Sequence, residues 1–371
     1  MKFTCEKSAL VSAISVASRT IAVKSALPVL EGLYVRAGER LYLTGYNLET
    51  GITMRVDAEI KEVGACVMPA RLFFDIVRKM PSDTVAVEVD EKLNVSIRSG
   101  ISAFTIKASD AEEFPELPDV ENEKGVQIQQ NALRSLLSGT IFAVSEDQAR
   151  PIHTGCLFEV EDDSITVVGV DGYRLARRTY HPKEPIGRTM KFVVPAVALR
   201  EVEKILGDTD ENAVFTLGTK HILFEIGAAT LVCRTLEGSF LDWRRVVPTN
   251  NPILLTANVA ELSDSIERVS LIVSEKLKSP VRCHFGENCA DFRTTTAIGT
   301  ARDSCSLAGD GKELEIGFNC RYFLDALHAV PTEEVVLELS NGLSAIVLTP
   351  PDKEKYDYAY MVLPVRLRAG E

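Results

Sequence analysis

The sequence predicts an α+β chain of three similar domains, each with two helices packed on antiparallel sheets. Three observations carry this. A strand end that enters a helix through a proline is written at Met68-Pro69-Ala70-Arg71-Leu72-Phe73-Phe74-Asp75-Ile76-Val77 and again at Val193-Val194-Pro195-Ala196-Val197-Ala198-Leu199-Arg200-Glu201-Val202. A fainter third copy runs from Ile316 through Asn319 to Leu327. Repetition at a fixed spacing is the signature of repeated structural units, and proline is best tolerated where a helix begins. Second, 371 residues exceed what one ordinary core organises. Third, short alternating apolar runs separated by tight turns read as antiparallel meanders. The expected domains are 1–120, 121–250 and 251–371.

The first unit opens with a strand at Lys2–Cys5 and a helix over Ser8–Ser18, where Leu10, Val11, Ile14 and Ala17 recur at helical spacing. Strands follow at 32–36, 41–44 and 52–56, then the Pro69 helix, then strands at 85–89, 93–98 and 102–107. Gly45-Tyr46-Asn47 and Gly169-Val170-Asp171-Gly172 recur as turns. The second unit repeats this order: a helix over Asn131–Val144, strands at 155–160 and 165–169, the Pro195 helix, then strands at 213–217, 222–226 and 230–234. The third begins near Ile253, with a helix over about Val259–Val273 and strands at 281–285, 335–339, 343–348 and 358–363. The Leu/Pro stretches Phe114–Val120 and Val246–Ile253 are the linkers, short enough to imply packed neighbours. Fused sheets extend by pairing their edges, and the free ends then need either another chain or a cap, which is where a ring becomes the natural hypothesis.

Hydrophobic residues at 46% with 25% charged describe a soluble globular chain. No apolar run of about 18 residues exists, so no membrane association is expected. Met1-Lys2-Phe3-Thr4-Cys5-Glu6-Lys7 places acid and thiol where a signal peptide needs an apolar core, which points to the cytoplasm. The eight cysteines are scattered without a CxxC pair. Cys283, His284 and Cys289 lie close, but structural zinc usually needs two tight ligand pairs. The cysteines read as small buried apolar residues of a reducing compartment, and neither metal nor cofactor is expected. A net charge of −12, spread over all three thirds, argues against a general nucleic-acid binder, although a sum does not say which face the cations occupy.

For catalysis there is no GxSxG, HExxH, Walker loop or GxGxxG among the 23 glycines. The five histidines (153, 181, 221, 284, 328) are dispersed, and no spacing joins His153 and Asp171 to a serine. The chain is therefore expected not to be an enzyme. The copies differ informatively. Only the second carries Val170-Asp171-Gly172-Tyr173-Arg174-Leu175-Ala176 and Asp242-Trp243-Arg244-Arg245-Val246, and only the third ends in Tyr360-Met361-Val362-Leu363-Pro364-Val365-Arg366-Leu367. An apolar chain end of this kind is either buried or a docking surface.

With these, Leu27-Pro28-Val29-Leu30, Pro69-Ala70-Arg71 ahead of Phe73-Phe74-Asp75-Ile76, Arg98-Ser99-Gly100 and Phe114-Pro115 stand in an order that resembles the bacterial sliding clamps, the β subunits of the replicative DNA polymerase. The resemblance covers essentially the whole chain. It implies a head-to-tail homodimer ring with six-fold pseudo-symmetry that encircles duplex DNA without regard to sequence and tethers the polymerase, without catalysis. Further partners implied are the clamp loader and repair or translesion proteins that carry a clamp-binding peptide motif. Twelve inward helices about 9 Å apart trace a circle near 110 Å around. Less a helix thickness of about 10 Å, this leaves a hole near 25 Å that admits a duplex. Sliding needs weak, sequence-blind phosphate contacts, which removes the objection from net charge. Lys24, Arg71, Arg78, Lys79, Arg134, Arg150, Arg200 and Lys204 are expected to face the hole. Ala196 and Val197 stand where the family often has basic residues.

The resemblance also implies a hydrophobic peptide pocket between domains two and three. By motif it uses Gly172, Arg174, Leu175, Arg245, Val246, Asn319, Tyr322, Pro364, Arg366 and Leu367, with Val170, Met361 and Val362 as walls and Tyr173, Leu343, Leu363 and Val365 beside them. His153 takes a usually apolar place, Leu241 replaces a usual proline, and Leu277 sits where an aromatic often gates the pocket. Arg368–Glu371 extend past the usual end. For ring closure, Phe104 and Ile106 would meet Leu271 and Ile272 of the partner chain. Two rival readings stand against it: an enzyme assembled from unrecognised loops, and a protein-binding repeat scaffold that does not encircle DNA, whose support is the acidic balance.

Overall fold

The computed structural model describes residues 1–120, 124–273 and 280–367. The first third gives β1 (Lys2–Glu6), α1 (Lys7–Ala17), β2 (Gly32–Ala37), β3 (Leu41–Tyr46), β4 (Thr50–Val56), β5 (Ala58–Glu62), β6 (Gly64–Pro69), α2 (Ala70–Lys79), β7 (Thr84–Val89), β8 (Asn94–Ser99) and β9 (Ser102–Lys107). The central third gives β10 (Val126–Gln129), α3 (Gln130–Ser138), β11 (Gly155–Val160), β12 (Ile165–Val170), β13 (Arg174–Tyr180), β14 (Met190–Pro195), α4 (Ala196–Ile205), β15 (Asn212–Leu217), β16 (His221–Ile226) and β17 (Ala229–Arg234). The last third gives β18 (Ile253–Asn258), α5 (Val259–Ser270), β19 (Val281–Thr296), β20 (Gly299–Phe318), α6 (Cys320–His328), β21 (Glu334–Leu339), β22 (Ile346–Thr349) and β23 (Tyr358–Val362).

Each described helix starts where a strand stops or one residue later, so the apolar period switches from two to 3.6 with no loop between. Pro69 and Pro195 end β6 and β14, which are both edge strands, where a missing N–H breaks no ladder. Asn258 and Asn319 do the equivalent work in the last third by capping. Asn258 Oδ1 accepts from Glu261 N at 3.1 Å, and Asn319 Oδ1 accepts from Arg321 N at 3.0 Å.

The chain forms two compact bodies. In the first, Met1–Leu133 with Arg200–Thr235, a five-stranded sheet runs β5-β1-β7-β8-β9 and an eight-stranded sheet runs β10-β15-β16-β17-β4-β3-β2-β6. Leu10 and Ile14 of α1 and Phe73 and Val77 of α2 pack with Phe3, Leu33, Leu43 and Val85. Burying a side chain of this size stabilises by roughly 1.5–3 kcal/mol. A smaller cluster joins Val29, Leu30, Tyr46, Val67 and Phe114 to half-buried Tyr34 and Leu117, with the Tyr34 and Phe114 rings stacked at 5.0 Å.

The second body, Arg134–Leu199 with Leu236–Glu371, is built on a ten-stranded sheet ordered β14-β11-β12-β13-β23-β22-β21-β18-β20-β19. Leu262 and Ile266 of α5 and Phe323 and Leu327 of α6 pack on Phe285, Phe292, Leu337 and Tyr360. The central third thus lends β10 and β15–β17 to one body and β11–β14 to the other. Edge pairing between repeats occurs in both, through β17–β4 and through β13–β23.

Several boundaries differ from expectation. Gly45 and Gly169 sit inside β3 and β12, not in turns. A Cβ at Gly45 would lie 2.0 Å from Ala17 O, and one at Gly169 would lie 2.3 Å from Thr140 O. The glycine recurs because a strand crosses a helix end at contact distance in both repeats. The helix expected to Val144 ends at Ser138, where Thr140 Oγ1 donates back to Leu136 O at 2.7 Å. Between the two helices of the last third, 281–285 is the one stretch expected as strand. β19 and β20 instead pair from Val281 to Phe318, with register shifts around Glu287 and positive φ at Asn288, Lys312 and Glu313. Their many Asp, Gly, Cys and Arg residues hide the strand pattern. Burial pushes the thiols of Cys5, Cys66 and Cys233 up to about 12, so these cysteines act as apolar filling.

Candidate partner-binding site

The second body offers one face of its sheet as a continuous apolar floor. Residues opposite each other in register share a face. Leu157 of β11 is opposite both Val168 of β12 and Val193 of β14. Val170 is opposite Leu175 of β13, Leu175 is opposite Met361 of β23, and Met361 is opposite Val347 of β22. With Ala345 and Ala359 these residues form one buried cluster. Its cover is the segment between β17 and β18, through Leu236, Phe240, Leu241, Trp243 and Val247, together with Ile152. Val170, Leu175, Leu241 and Met361, four of the residues the resemblance named, lie together in this cluster. Phe240, Trp243, Val347 and Ile152 were missed as members. The apolar spacing of 236–247 could have found Phe240 and Trp243, whereas Val347 of β22 and Ile152 carry no such signal.

A polar margin follows the apolar floor along the same face. Glu159 lies two residues beyond Leu157, opposite Lys191 and Thr166, and Arg177 lies two beyond Leu175. His153 meets Phe240 edge-on at 5.4 Å. Burial, with Arg150 nearby, holds its imidazole below the usual range.

Arg174 and Val362, opposite each other, lie behind this floor. The buried Arg174 side chain donates to Asp171 Oδ2 at 3.0 Å and pairs with Asp325 of α6, with its guanidinium over the Tyr322 ring at 4.6 Å. It fastens the β12–β13 turn to α6 rather than facing a guest. Asp171 is committed to this turn, since it also accepts from Tyr173 N at 2.8 Å, and Gly172 takes φ +93°.

A second cluster of the expected residues forms beside that turn. The 61% exposed Tyr173 stacks on Tyr322 at 5.9 Å, and Asn319 caps the helix that carries Tyr322. The chain end runs along them. Leu363 N donates to Tyr173 O at 2.8 Å and Val365 N donates to Gly317 O at 2.7 Å. Leu367 lies over Gly317, where a Cβ would come within 2.5 Å of it. Pro364 is half-buried and Arg366 exposed. Leu343 is exposed in the turn before β22, Val246 is partly exposed, and exposed Arg245 pairs with Asp242 at 3.0 Å. Leu277 lies outside the described residues, as do Arg368–Glu371.

All eight cations expected to meet DNA are exposed. Arg78 pairs with Asp75 at 3.3 Å and Lys204 with Glu201 at 2.7 Å. Lys24, Arg71, Lys79, Arg134, Arg150 and Arg200 make no ion pair among the described residues. Phe104 and Leu271 are exposed, Ile106 and Ile272 half-buried. Among the described residues no group of three or more His, Cys, Asp or Glu side chains is placed to hold a metal ion, and no helix is long and apolar enough to cross a membrane.

Three like modules that share their sheets, with helices entered directly from strands, define a clamp-type scaffold. The models of the DNA polymerase III beta subunit match in sequence order: the N-terminal domain over 1–118, the central domain over 127–242 and the C-terminal domain over 244–366. The beta sliding clamp of Staphylococcus epidermidis is 29% identical, over 99% of each chain. The DNA polymerase sliding clamp of Bacillus subtilis superposes with a TM-score of 0.94 at 28% identity, covering 99% of this chain and 100% of that one. The Pseudomonas aeruginosa sliding clamp bound to griselimycin gives 0.93 at 28%, with the same coverage. The chain belongs to the DNA polymerase III beta subunit family, the beta sliding clamps.

Proposed function

We propose that two copies of this chain close head to tail into a ring around duplex DNA, and that the apolar floor and its margin receive a short peptide from the replicative polymerase and other clamp-binding proteins. The observation that carries the docking reading is the floor from Leu157 to Val347, with half-exposed Leu241, Trp243 and Val247 over it. Apolar anchors on such a surface supply affinity, and nearby backbone groups fix register. The Pseudomonas clamp's griselimycin complex supports a ligand site on this fold.

Ring closure is supported by β9, an edge strand that carries exposed Phe104, and by exposed Leu271. An unpaired edge with apolar side chains is a template for another chain. The unpaired surface cations suit weak phosphate contacts. No catalytic step is assigned, and the expected setting is the cytoplasm.

Retention on circular DNA that disappears when the circle is linearised tests encirclement. Equal retention on both topologies would overturn it, as would a monomer in sedimentation at micromolar concentration. Titration of labelled polymerase peptides tests the docking face.

A further inference from the structure

The polar margin of the floor contains a buried carboxylate that the docking reading does not use. Glu159 is 7% exposed, on the same face as Leu157. Its Oε1 accepts from Lys191 Nζ at 2.8 Å, and its Oε2 accepts from Trp243 Nε1 at 3.0 Å and from Arg244 Nη1 at 2.7 Å. Two of these three donors belong to the covering segment. Trp243 is further held by two cations, with Arg244 over its ring at 4.3 Å and Arg177 at 5.7 Å. Arg177 is anchored by Asp357 at 2.6 Å, and Glu161 stands 4.0 Å from Arg244. The short turn Trp243–Arg245 follows, with Val246 N and Val247 N both turned onto Trp243 O.

We propose that Glu159 is a positioning residue of the peptide site: acting through Trp243 and Arg244, it fixes the 240–247 segment as a rigid wall over the apolar floor. This rests on the docking reading given above. The physical reason is that the segment has no ladder of its own, so its placement falls to side-chain anchors. A buried carboxylate with three donors is a strong, directional one. Leu241 and Val246, on either side of Trp243, are then presented in one arrangement. A guest does not spend binding energy ordering them. Burial raises the carboxyl's proton affinity, but the bonds from Lys191, Trp243 and Arg244 outweigh it and keep Glu159 ionised below its ordinary range.

Trp243 is the only tryptophan in the chain, so emission excited at the red edge of the band, where tyrosine does not absorb, reports this wall alone. The experiment compares wild type, Glu159→Gln and Trp243→Phe, with griselimycin and a labelled polymerase peptide as probes. Glu159→Gln keeps the volume and one acceptor but loses both ion pairs. It is expected to weaken either probe roughly tenfold and to make Trp243 more accessible to acrylamide. Wild-type emission should shift as pH falls below the ordinary carboxylate range, and Glu159→Gln should show a smaller shift, the remainder coming from Asp357 through Arg177. Trp243→Phe keeps a ring and removes the N–H, and should weaken the probes in the same direction even if the Gln variant folds poorly. Wild-type binding with unchanged affinity in both variants overturns the positioning role and leaves the docking face standing. So does a lost affinity with unchanged quenching and the same acid shift in Glu159→Gln. Failure of the wild type to bind either probe removes the docking reading, and this proposal with it.

Discussion

The chain builds the same junction twice and finishes it differently. In the first body β4 pairs with β17, and the space over the neighbouring strands is filled from within. Tyr34 lies opposite Val67, Tyr46 ends β3, and Phe114 and Leu117 fold over them. In the second body β13 pairs with β23, and the corresponding positions hold Leu157 opposite Val193, Val170 at the end of β12, then Phe240 and Trp243. Where the first junction uses two tyrosine rings, the second uses two aliphatic side chains. The aromatic bulk of the second junction sits instead in its cover, where Trp243 stands in the place of Leu117. The lesson is that one repeated frame can carry its large side chains in the floor of the junction or in its cover.

The hardest test of that contrast empties the second junction. Leu175→Ala combined with Met361→Ala should abolish peptide binding, by about a hundredfold or more, while sedimentation still reports a dimer. Retained peptide affinity would move the site elsewhere. Emptying the first junction should act on stability alone. Phe114→Ala should cost about 3 kcal/mol in denaturant unfolding and leave peptide affinity unchanged. The contrast can also be reversed. Val170→Tyr, which copies Tyr46, should weaken peptide binding roughly tenfold and leave the far-UV spectrum as it was.

The smallest effect separates the junctions by pH. Asp357, half-buried, is pulled below its ordinary range by Arg177 and His181 against the opposing effect of burial, and Glu159 is likewise depressed. A carboxyl depressed in the folded state contributes stability above its unfolded value and loses it as pH falls through the folded one. The second junction should therefore loosen below the ordinary carboxylate range. Thermal melts should show this loss flattened in Glu159→Gln.

Much of this frame was legible in the residues because repetition multiplies weak signals. The Pro69 and Pro195 helices, and Tyr46 and Val170 behind their glycines, could be aligned by eye. β13 was not legible, since Arg174, Arg177 and Arg178 interrupt the apolar alternation that marks a strand. β19 and β20 were hidden for a similar reason. The floor residues Val170, Leu175 and Met361 stood out through motifs. Val347 joins them only through strand register, which a linear reading does not supply, and Trp243 only through the segment that crosses over them. Arg174 shows the reverse case: its motif is conspicuous, yet alternation turns it to the opposite face, where Asp171 and Asp325 hold it.

The chain repeats by thirds, yet its sheets divide by halves. The central third gives up strands on both sides, so excising it at the repeat boundaries would strip β17 from β4 and β13 from β23. Two raw hydrogen-bonding edges would result, and such a fragment should aggregate or swap strands with its own kind. A polypeptide that repeats by thirds cannot here be taken apart along its own seams.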